Sequence, residues 1–163
     1  MAEETESDYI NRLLIQVSRL HFKRLHTMME TIGLHRGQPP LLHILWEEEG
    51  HTQSDLAARL HIQPATVTKM LQRMEQAGFV ERRPDPEDQR VSRVYLTEAG
   101  RTIRTDVCRV NRQIGEELAA GFTPEEEAQF TQLLGQVREN LLQVEGGEPC
   151  FGHCQAREHP HTA

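Results

Sequence analysis

The sequence predicts a mainly α-helical chain that carries one small β-hairpin. Apolar residues recur at helical spacing through most of the 163 residues. Strand-like alternation is confined to residues 79–83 and 91–96, and Pro84-Asp85-Pro86 marks a turn between them. A chain of this length fits one domain with a single substantial core.

The N-terminal part is expected to form two scaffold helices. The first covers about residues 8–31 and should end at Gly33. The second begins at Pro39 and Pro40, because proline suits the first turn of a helix, and stops at Gly50. The apolar positions of both helices are more typical of a core than of a cofactor site.

Residues 52–78 predict two short helices joined by a tight turn. Thr52 followed by Asp55 resembles a capping box, which marks the start of the first helix. Pro64 suits the first position of the second helix, and Gly78 suits the position after its last turn. Two helices joined by so few residues are the arrangement of a helix-turn-helix.

The second helix of this pair has two faces of opposite character. Its apolar face consists of Val67, Met70, Leu71 and Met74. The other face carries Thr66, Lys69 and Arg73 in line. A DNA major groove admits one helix, and its base edges and phosphates accept hydrogen bonds from such side chains. A solvated helix face with ordinary charges explains this segment equally well, so the neighbouring residues must decide.

The predicted hairpin, or wing, carries a cluster of four arginines: Arg82, Arg83, Arg90 and Arg93. An arginine at a hairpin tip can enter a narrow DNA minor groove, where the potential is most negative. Acidic residues at the same tip would repel phosphates unless they are used internally. Asp88 is placed to pair with a wing arginine and hold its side chain extended. The alternative is a connector with solvated charges.

Five short segments follow one another in a fixed order: 53–57 (QSDLA), 64–69 (PATVTK), 75–80 (EQAGFV), 85–90 (DPEDQR) and 96–100 (LTEAG). Together they resemble the MarR family of bacterial transcription regulators, whose pattern covers roughly residues 8–145. The resemblance implies a winged helix-turn-helix homodimer, in which ligands or oxidants change the affinity for a pseudo-palindromic operator in double-stranded DNA. It favours a repressor over an activator.

The resemblance also implies which residues contact DNA. They are Gln53, Ser54, Pro64, Thr66, Thr68, Lys69, Arg73, Asp88 and Arg90. The first two match positions that commonly bind the DNA backbone, the last two match the wing motif, and the others match the reading helix. The two reading helices of a symmetric dimer fall in successive major grooves, about 34–36 Å apart, so the operator should be an inverted repeat.

The two ends of the chain are expected to form the dimer. Apolar residues from Ile103 to Leu118 are spaced like a heptad seam, and Thr123-Pro124-Glu125-Glu126 starts a last helix with an apolar stripe. Such a stripe is best explained by packing on a partner chain. We therefore predict a single MarR-type domain that spans residues 1–163. Its dimerisation helices lie at about 8–36 and 101–145, and its winged helix-turn-helix lobe lies at about 38–100. A Cys/His-containing tail follows at 146–163.

The net charge of −7 argues at first against a nucleic-acid partner, but its distribution reverses that inference. Residues 51–104 carry nine Lys or Arg and seven Asp or Glu, whereas the remainder carries nine and eighteen. The basic excess lies where the motifs lie, and an acidic far side would help to orient a dimer on DNA. We expect salt-dependent binding with limited non-specific affinity.

The effector is left open by the sequence. In the family, small aromatic acids and other ligands often bind between the dimer helices and the winged lobe. The residues that could lie near such a cleft are His21, His43, Trp46, Cys108 and Arg112. Taken singly, His21 and His43 are better explained as partly buried, satisfied histidines, and Cys108 as a small core filler.

The tail contains Cys150, His153, Cys154 and His159, which are the ligand types that Zn²⁺ prefers. The two thiols could instead form a disulfide on oxidation, which gives an alternative function as a metal- or thiol-redox-responsive regulator. The simplest expectation is a tail without fixed structure. The family's peroxide sensors keep their reactive cysteine near the start of the first helix, and this sequence has none there.

Several classes of protein are disfavoured. Nucleotide-binding, metalloprotease and triad motifs are missing, so we expect no enzyme and no required cofactor. No apolar run approaches the ~20 residues of a membrane span, and the acidic N-terminus lacks signal-peptide character, so we expect a cytoplasmic protein. Three cysteines do not make a disulfide framework and favour a reducing compartment.

Overall fold

The computed structural model describes residues 5–145, which are mainly helical and include a small three-stranded antiparallel sheet. The helices are α1 (Glu6–Thr31), α2 (Gln38–Glu47), α3 (Gln53–Arg59), α4 (Pro64–Gln76), α5 (Glu98–Leu118) and α6 (Pro124–Glu145). The strands are β1 (His51–Thr52), β2 (Val80–Pro84) and β3 (Ser92–Leu96). The predicted fold class is confirmed.

The sheet has the strand order β1-β3-β2. Strands β2 and β3 form the expected hairpin, in which Arg82 faces Val94 and Arg83 faces Arg93. Strand β1 was not expected, because a strand of two residues is too short for alternation to reveal it. It pairs His51 with Val94 and thereby fixes the wing to the start of α3.

The core of the lobe lies between α2, α3, α4 and the sheet. Its fully buried side chains include Leu41, Leu42, Leu45, Leu56, Val67, Leu71, Met74 and Val94. Burial of one such side chain contributes about 1.5–3 kcal/mol. The two helices of the helix-turn-helix are therefore held on a packed platform.

The predicted helix ends are confirmed where they position α3 and α4. Thr52 and Asp55 form a reciprocal capping box at the start of α3. The turn between the helices closes with a bond from the Ile62 N–H to the Ala57 carbonyl at 3.1 Å, with His61 at a φ of 50°. Gly78, at a φ of 76°, ends α4 in the same way.

The first turn of α5 is fitted closely against the lobe. A Cβ at Gly100 would lie 2.0 Å from the Phe79 carbonyl oxygen, so only glycine permits this approach. The Gly100 carbonyl accepts a hydrogen bond from the indole Nε1 of Trp46 at 2.8 Å. Thr97 caps α5 by accepting from the Gly100 N–H. The segment Leu96–Gly100 is therefore the joint between lobe and long helix.

The helices at the two ends of the described region leave many apolar side chains exposed. Helix α1 packs along α5, where Arg24 donates to both carboxylate oxygens of Glu117 at 2.7 and 2.6 Å. Exposed apolar residues on α1 and α6 include Ile10, Leu20, Phe22, Leu133, Leu141 and Val144. None of the helices within residues 5–145 is long and apolar enough to cross a membrane.

Candidate nucleic-acid interface

The outer face of α4 is a row of exposed polar and cationic side chains. Thr66, Lys69 and Arg73 are exposed, while Val67 and Leu71 on the opposite face are fully buried. Neither cation forms an ion pair with another residue in the 5–145 range. The structure therefore places these predicted contact residues where a groove could receive them, and their contact with DNA stays a prediction.

The first turn of α4 is tied to the first residue of α3. The Thr68 hydroxyl donates to the Pro64 carbonyl at 2.9 Å and accepts from Gln53 Nε2 at 2.5 Å. Gln53 Nε2 also lies 3.3 Å from the Pro64 carbonyl oxygen. Gln53 and Thr68 thus use their donors inside the protein, which the sequence did not indicate. Ser54 beside them is exposed.

Asp85, which is only 6% exposed, organises the tip of the wing. Its carboxylate accepts from Arg93 and from the N–H groups of Glu87 and Asp88. The Arg93 hydrogen bond, and then the two backbone bonds, lower the pKa of Asp85 from its usual 3.8. The sequence did carry a signal for this role. An aspartate at the start of a turn can accept hydrogen bonds from the N–H groups two and three residues further along the chain.

The expected pairing between Asp88 and a wing arginine side chain is wrong. Asp88 Oδ1 accepts instead from the backbone N–H of Arg90 at 3.0 Å, in the manner of an Asx-turn. The short distance along the chain favours the backbone group over the long guanidinium. Asp88 therefore shapes the loop that presents Arg90.

The four wing arginines divide into three that are engaged internally and one that is not. Arg82 Nε lies 3.2 Å from Glu75 on α4, in a contact too poorly aligned for a hydrogen bond. Arg83 pairs with Glu81 and lies over the Tyr95 ring at 4.7 Å. Within the described part of the chain, the exposed Arg90 side chain forms no ion pair, so it is the wing cation left for a partner.

Two open clefts border the same face. One, of about 400 Å³, follows the turn between α3 and α4 and is lined by Ser54, Ala57, Ala58, His61, Ile62, Gln63 and Pro64. The other, of about 420 Å³, lies beside the end of α4 and is lined by Gly33, His35, Gln38, Arg73, Gln76 and Ala77. Neither includes a residue proposed for effector binding.

The predicted effector residues are only partly brought together. His43 packs edge-on against Trp46, with ring centroids 5.0 Å apart, and Arg104 lies over the Trp46 ring at 5.8 Å. Burial lowers the pKa of His43, which favours its neutral form. His21 is half-buried beside Phe22 on α1, and Arg112 on α5 is exposed. Whether these residues bind an effector stays a prediction.

Cys108 differs from the expected core filler. It is half-buried on α5 and is disulfide-bonded. The other two cysteines, Cys150 and Cys154, and the rest of the predicted metal site, His153 and His159, lie outside the described residues. Between residues 5 and 145 there is no group of three His, Cys, Asp or Glu that could hold a metal ion.

Comparison with known proteins agrees with the geometry. The model of the MarR family matches residues 34–92. An HTH-type transcriptional regulator of Bacillus subtilis, YwoH, is 32% identical over an alignment of 129 residues that covers 77% of this chain and 93% of YwoH. The chain also covers 99% of a MarR transcriptional regulator from Methanosarcina mazei, with 84% of its own length aligned, 28% identity and a TM-score of 0.69.

A further solved structure shares the fold at lower identity. It is a point mutant of Staphylococcus aureus MepR bound to an oligodeoxyribonucleotide, with 22% identity, a TM-score of 0.61 and coverage of 81% of this chain and 97% of MepR. The helix-turn-helix, the wing and the relatives lead to one assignment. The chain belongs to the MarR family of transcriptional regulators.

Proposed function

We propose that the chain is a homodimeric repressor that binds a pseudo-palindromic operator in double-stranded DNA and is tuned by a small-molecule effector. One observation carries the DNA-binding part of this proposal. The exposed cations of α4, Lys69 and Arg73, and the exposed wing cation, Arg90, have no ionic partner among residues 5–145. Two acidic residues of the wing tip, Asp85 and Asp88, are by contrast engaged in backbone and arginine contacts.

These positions match the two grooves of duplex DNA. A helix such as α4 fits the major groove, where side chains reach base edges, and an arginine on a wing fits a narrow minor groove. The structurally similar MepR mutant is bound to an oligodeoxyribonucleotide, which supports the same class of partner for this chain. Ser54 at the start of α3 is exposed for a phosphate contact.

The homodimer is supported by the apolar surfaces of α1 and α6. Leu20 is 68% exposed and Val144 is 82% exposed, and no side chain of residues 124–144 is fully buried. Apolar patches on this scale mark a surface that is covered by another chain. A second copy, which presents the same stripe, would cover both helices in a two-fold arrangement.

An effector would act through the joint between the lobe and α5. The cluster of His43, Trp46 and Arg104 lies at this joint, because Trp46 also donates to the Gly100 carbonyl. A ligand that prefers one lobe orientation changes the separation of the two reading helices. A coupling of about 1–3 kcal/mol would change operator affinity by roughly 5–150-fold.

The test is fluorescence anisotropy with a labelled duplex from the protein's own promoter region, at two or more salt concentrations. Wild type should bind in a salt-sensitive manner, because phosphate contacts release counterions. Lys69→Ala, Arg73→Ala and Arg90→Ala should each weaken binding. Arg109→Ala is the matched control, since Arg109 is exposed on α5 and paired with Asp106. Unchanged affinity in all three test variants would overturn the proposal.

A second candidate is a regulator that responds to thiol oxidation, and one observation favours it. Cys108, which lies four residues after Arg104 on α5, is disulfide-bonded rather than a free thiol. A covalent bond at this position would be made and broken beside the joint that orients the lobe. Thiolate chemistry of this kind is reversible by thiol exchange.

The thiol alternative is tested by the same anisotropy assay under dithiothreitol or diamide. A redox response predicts that the two conditions differ for wild type and agree for Cys108→Ser. Addition of Zn²⁺ to the reduced protein tests whether the tail binds metal through Cys150, His153, Cys154 and His159. A metal response of this kind should be present in wild type and absent from a Cys150→Ser/Cys154→Ser variant. Equal affinity under all conditions would leave small organic ligands as the effectors to search.

A further inference from the structure

Gln53, the first residue of α3, is held by the first turn of the reading helix, α4. Its Nε2 lies 2.5 Å from Thr68 Oγ1 and 3.3 Å from the Pro64 carbonyl oxygen. The Thr68 hydroxyl bonds to that same carbonyl at 2.9 Å. These three residues form a closed set of hydrogen bonds that joins the two helices of the helix-turn-helix.

The partners determine the orientation of the Gln53 amide. A carbonyl oxygen only accepts, so the amide atom that faces Pro64 must be the nitrogen. The Thr68 hydroxyl gives its single hydrogen to Pro64 and can therefore only accept from Gln53. Both hydrogens of the amide nitrogen are used in this way, and the amide has no donor left.

The amide oxygen of Gln53 is consequently an acceptor without an internal donor. The two bonds from Nε2 are the only side-chain hydrogen bonds of Gln53 within the described range of the chain. Oε1 is not one of the buried polar atoms that lack a partner, so it retains access to solvent. A solvent-accessible acceptor on this half-buried residue, held in one orientation, can distinguish donors from acceptors on a ligand.

We propose that Gln53 is a specificity-determining residue, whose Oε1 accepts a hydrogen bond from the exocyclic amino group of adenine or cytosine in the major groove. This proposal rests on the DNA-binding function proposed above. In helix-turn-helix proteins the N-terminal residues of the reading helix contact base edges, and Gln53 is anchored to that turn. Adenine N6 and cytosine N4 are donors there, whereas guanine O6 and thymine O4 are acceptors that repel Oε1.

The clamp changes what a glutamine at this position can do. A free glutamine can donate to a phosphate or bind adenine through two hydrogen bonds, because its amide offers both donors and an acceptor. Phosphate oxygens only accept, so the clamped Gln53 side chain has nothing to give them. The base that Oε1 meets, rather than the DNA backbone, is then its partner.

The experiment is selection from a randomised duplex library by wild type, Gln53→Ala and Thr68→Val, followed by sequencing. Wild type should enrich adenine or cytosine at one position of each half-site by about 2- to 10-fold, the effect of one hydrogen bond. Gln53→Ala should lose that preference and keep the others. Thr68→Val frees one amide hydrogen of Gln53, so guanine or thymine should become acceptable at the same position.

Gln72→Ala is the matched control, because Gln72 is an exposed glutamine of the same helix-turn-helix. It should leave the preference assigned to Gln53 unchanged. A second measurement uses only wild type: an operator in which the selected base is replaced by an analogue without the amino group should bind about 2- to 10-fold more weakly. Full affinity for that analogue, or unchanged preferences in a folded Gln53→Ala variant, would overturn this proposal alone. Enrichment of no duplex by wild type would overturn the DNA-binding function as well.

Discussion

Arg93 on β3 and Asp85 at the base of the wing tip form an ion pair that fixes the wing to the lobe. Arg93 donates from Nε to Asp85 and from Nη1 to the Gly50 carbonyl at 2.9 Å. Asp85 also accepts the N–H groups of Glu87 and Asp88. Continuous contacts therefore run from the segment before β1 to the loop that presents Arg90.

Asp85→Asn should lower operator affinity by loosening this loop. The variant removes the charge that Arg93 pairs with, but it changes no cation that faces DNA. We therefore expect a weaker complex whose slope of log affinity against log salt equals that of wild type, because the number of released counterions is unchanged. Anisotropy titrations at four salt concentrations measure both quantities. A steeper slope would show instead that Asp85 acts through the charge balance with DNA, because its loss frees the Arg93 cation.

The stabilisation from the Arg93–Asp85 pair should depend on pH in one direction only. The Arg93 hydrogen bond lowers the pKa of Asp85 below 3.8, so the stabilisation is present above that pH. It is lost as the pH falls through the lowered value. The difference in affinity between wild type and Asp85→Asn should accordingly persist unchanged between pH 8 and pH 5, and a difference that disappears by pH 5 would contradict this assignment.

Arg90→Ala should weaken binding and also reduce the salt slope by about 1, the value expected for one lost phosphate-region charge. Arg90→Lys should retain the slope and still lose affinity, because a narrow minor groove favours guanidinium over the more strongly hydrated ammonium. Arg83→Ala is the control on the same hairpin, since Arg83 is engaged by Glu81 and Tyr95. Equal slopes for wild type and Arg90→Ala would remove Arg90 from the interface.

Much of the fold could be predicted because its signals are local. Thr52 and Asp55 are three residues apart, and Gly78 lies just past the end of α4, so their capping roles depend only on neighbouring backbone. Strand β1 escaped prediction for the opposite reason. Its two residues become a strand only when β3 lies alongside them.

The sequence predicted which residues belong to the candidate site, but it did not predict which of them pair with one another. Helical spacing placed Thr66, Lys69 and Arg73 on the face away from the core, and the structure agrees. The pairs Gln53–Thr68 and Arg93–Asp85 join residues fifteen and eight positions apart. Which of several nearby polar groups meet across such distances depends on tertiary packing, so the engaged and the available side chains look alike in the sequence.

His51→Gln should make the stability of the lobe less sensitive to acid. His51 is 8% exposed on β1, and its buried Nε2 lacks a hydrogen bond, with Glu48 3.6 Å away. Burial first, and then the charge of Arg59, lower the pKa of His51. The charged groups that act on it are Glu48, Asp55, Arg59 and Arg93.

The sign follows from proton binding. The unfolded chain takes up a proton near pH 6.5 and the folded His51 only at lower pH, so stability is full above 6.5 and falls as the pH decreases below it. His43, whose pKa is also lowered, acts in the same direction. Thermal unfolding between pH 7.5 and pH 5 should show a smaller loss for His51→Gln than for wild type, and parallel curves would assign the acid sensitivity elsewhere.

Glu49→Gln and Arg101→Lys should impair the recognition of operator spacing more than they impair folding. Arg101 Nη2 donates to both Glu49 oxygens at 2.7 and 3.0 Å, and its Nη1 donates to the Leu96 carbonyl at 2.9 Å. The Leu96 N–H donates in turn to Glu49 at 3.0 Å. This clasp links the segment before β1, the end of β3 and the first turn of α5.

The clasp is partly exposed, so its loss should cost less than about 1 kcal/mol of unfolding free energy. Its geometric effect is larger, because the orientation of the lobe on α5 sets the distance between the two reading helices of a dimer. Both variants should bind an isolated half-site with the affinity of wild type. They should discriminate less than wild type between two full operators, one with half-site centres one helical turn apart and one lengthened by two base pairs. An equal loss of affinity on half-site and full operator would instead mean that the clasp supports the lobe alone.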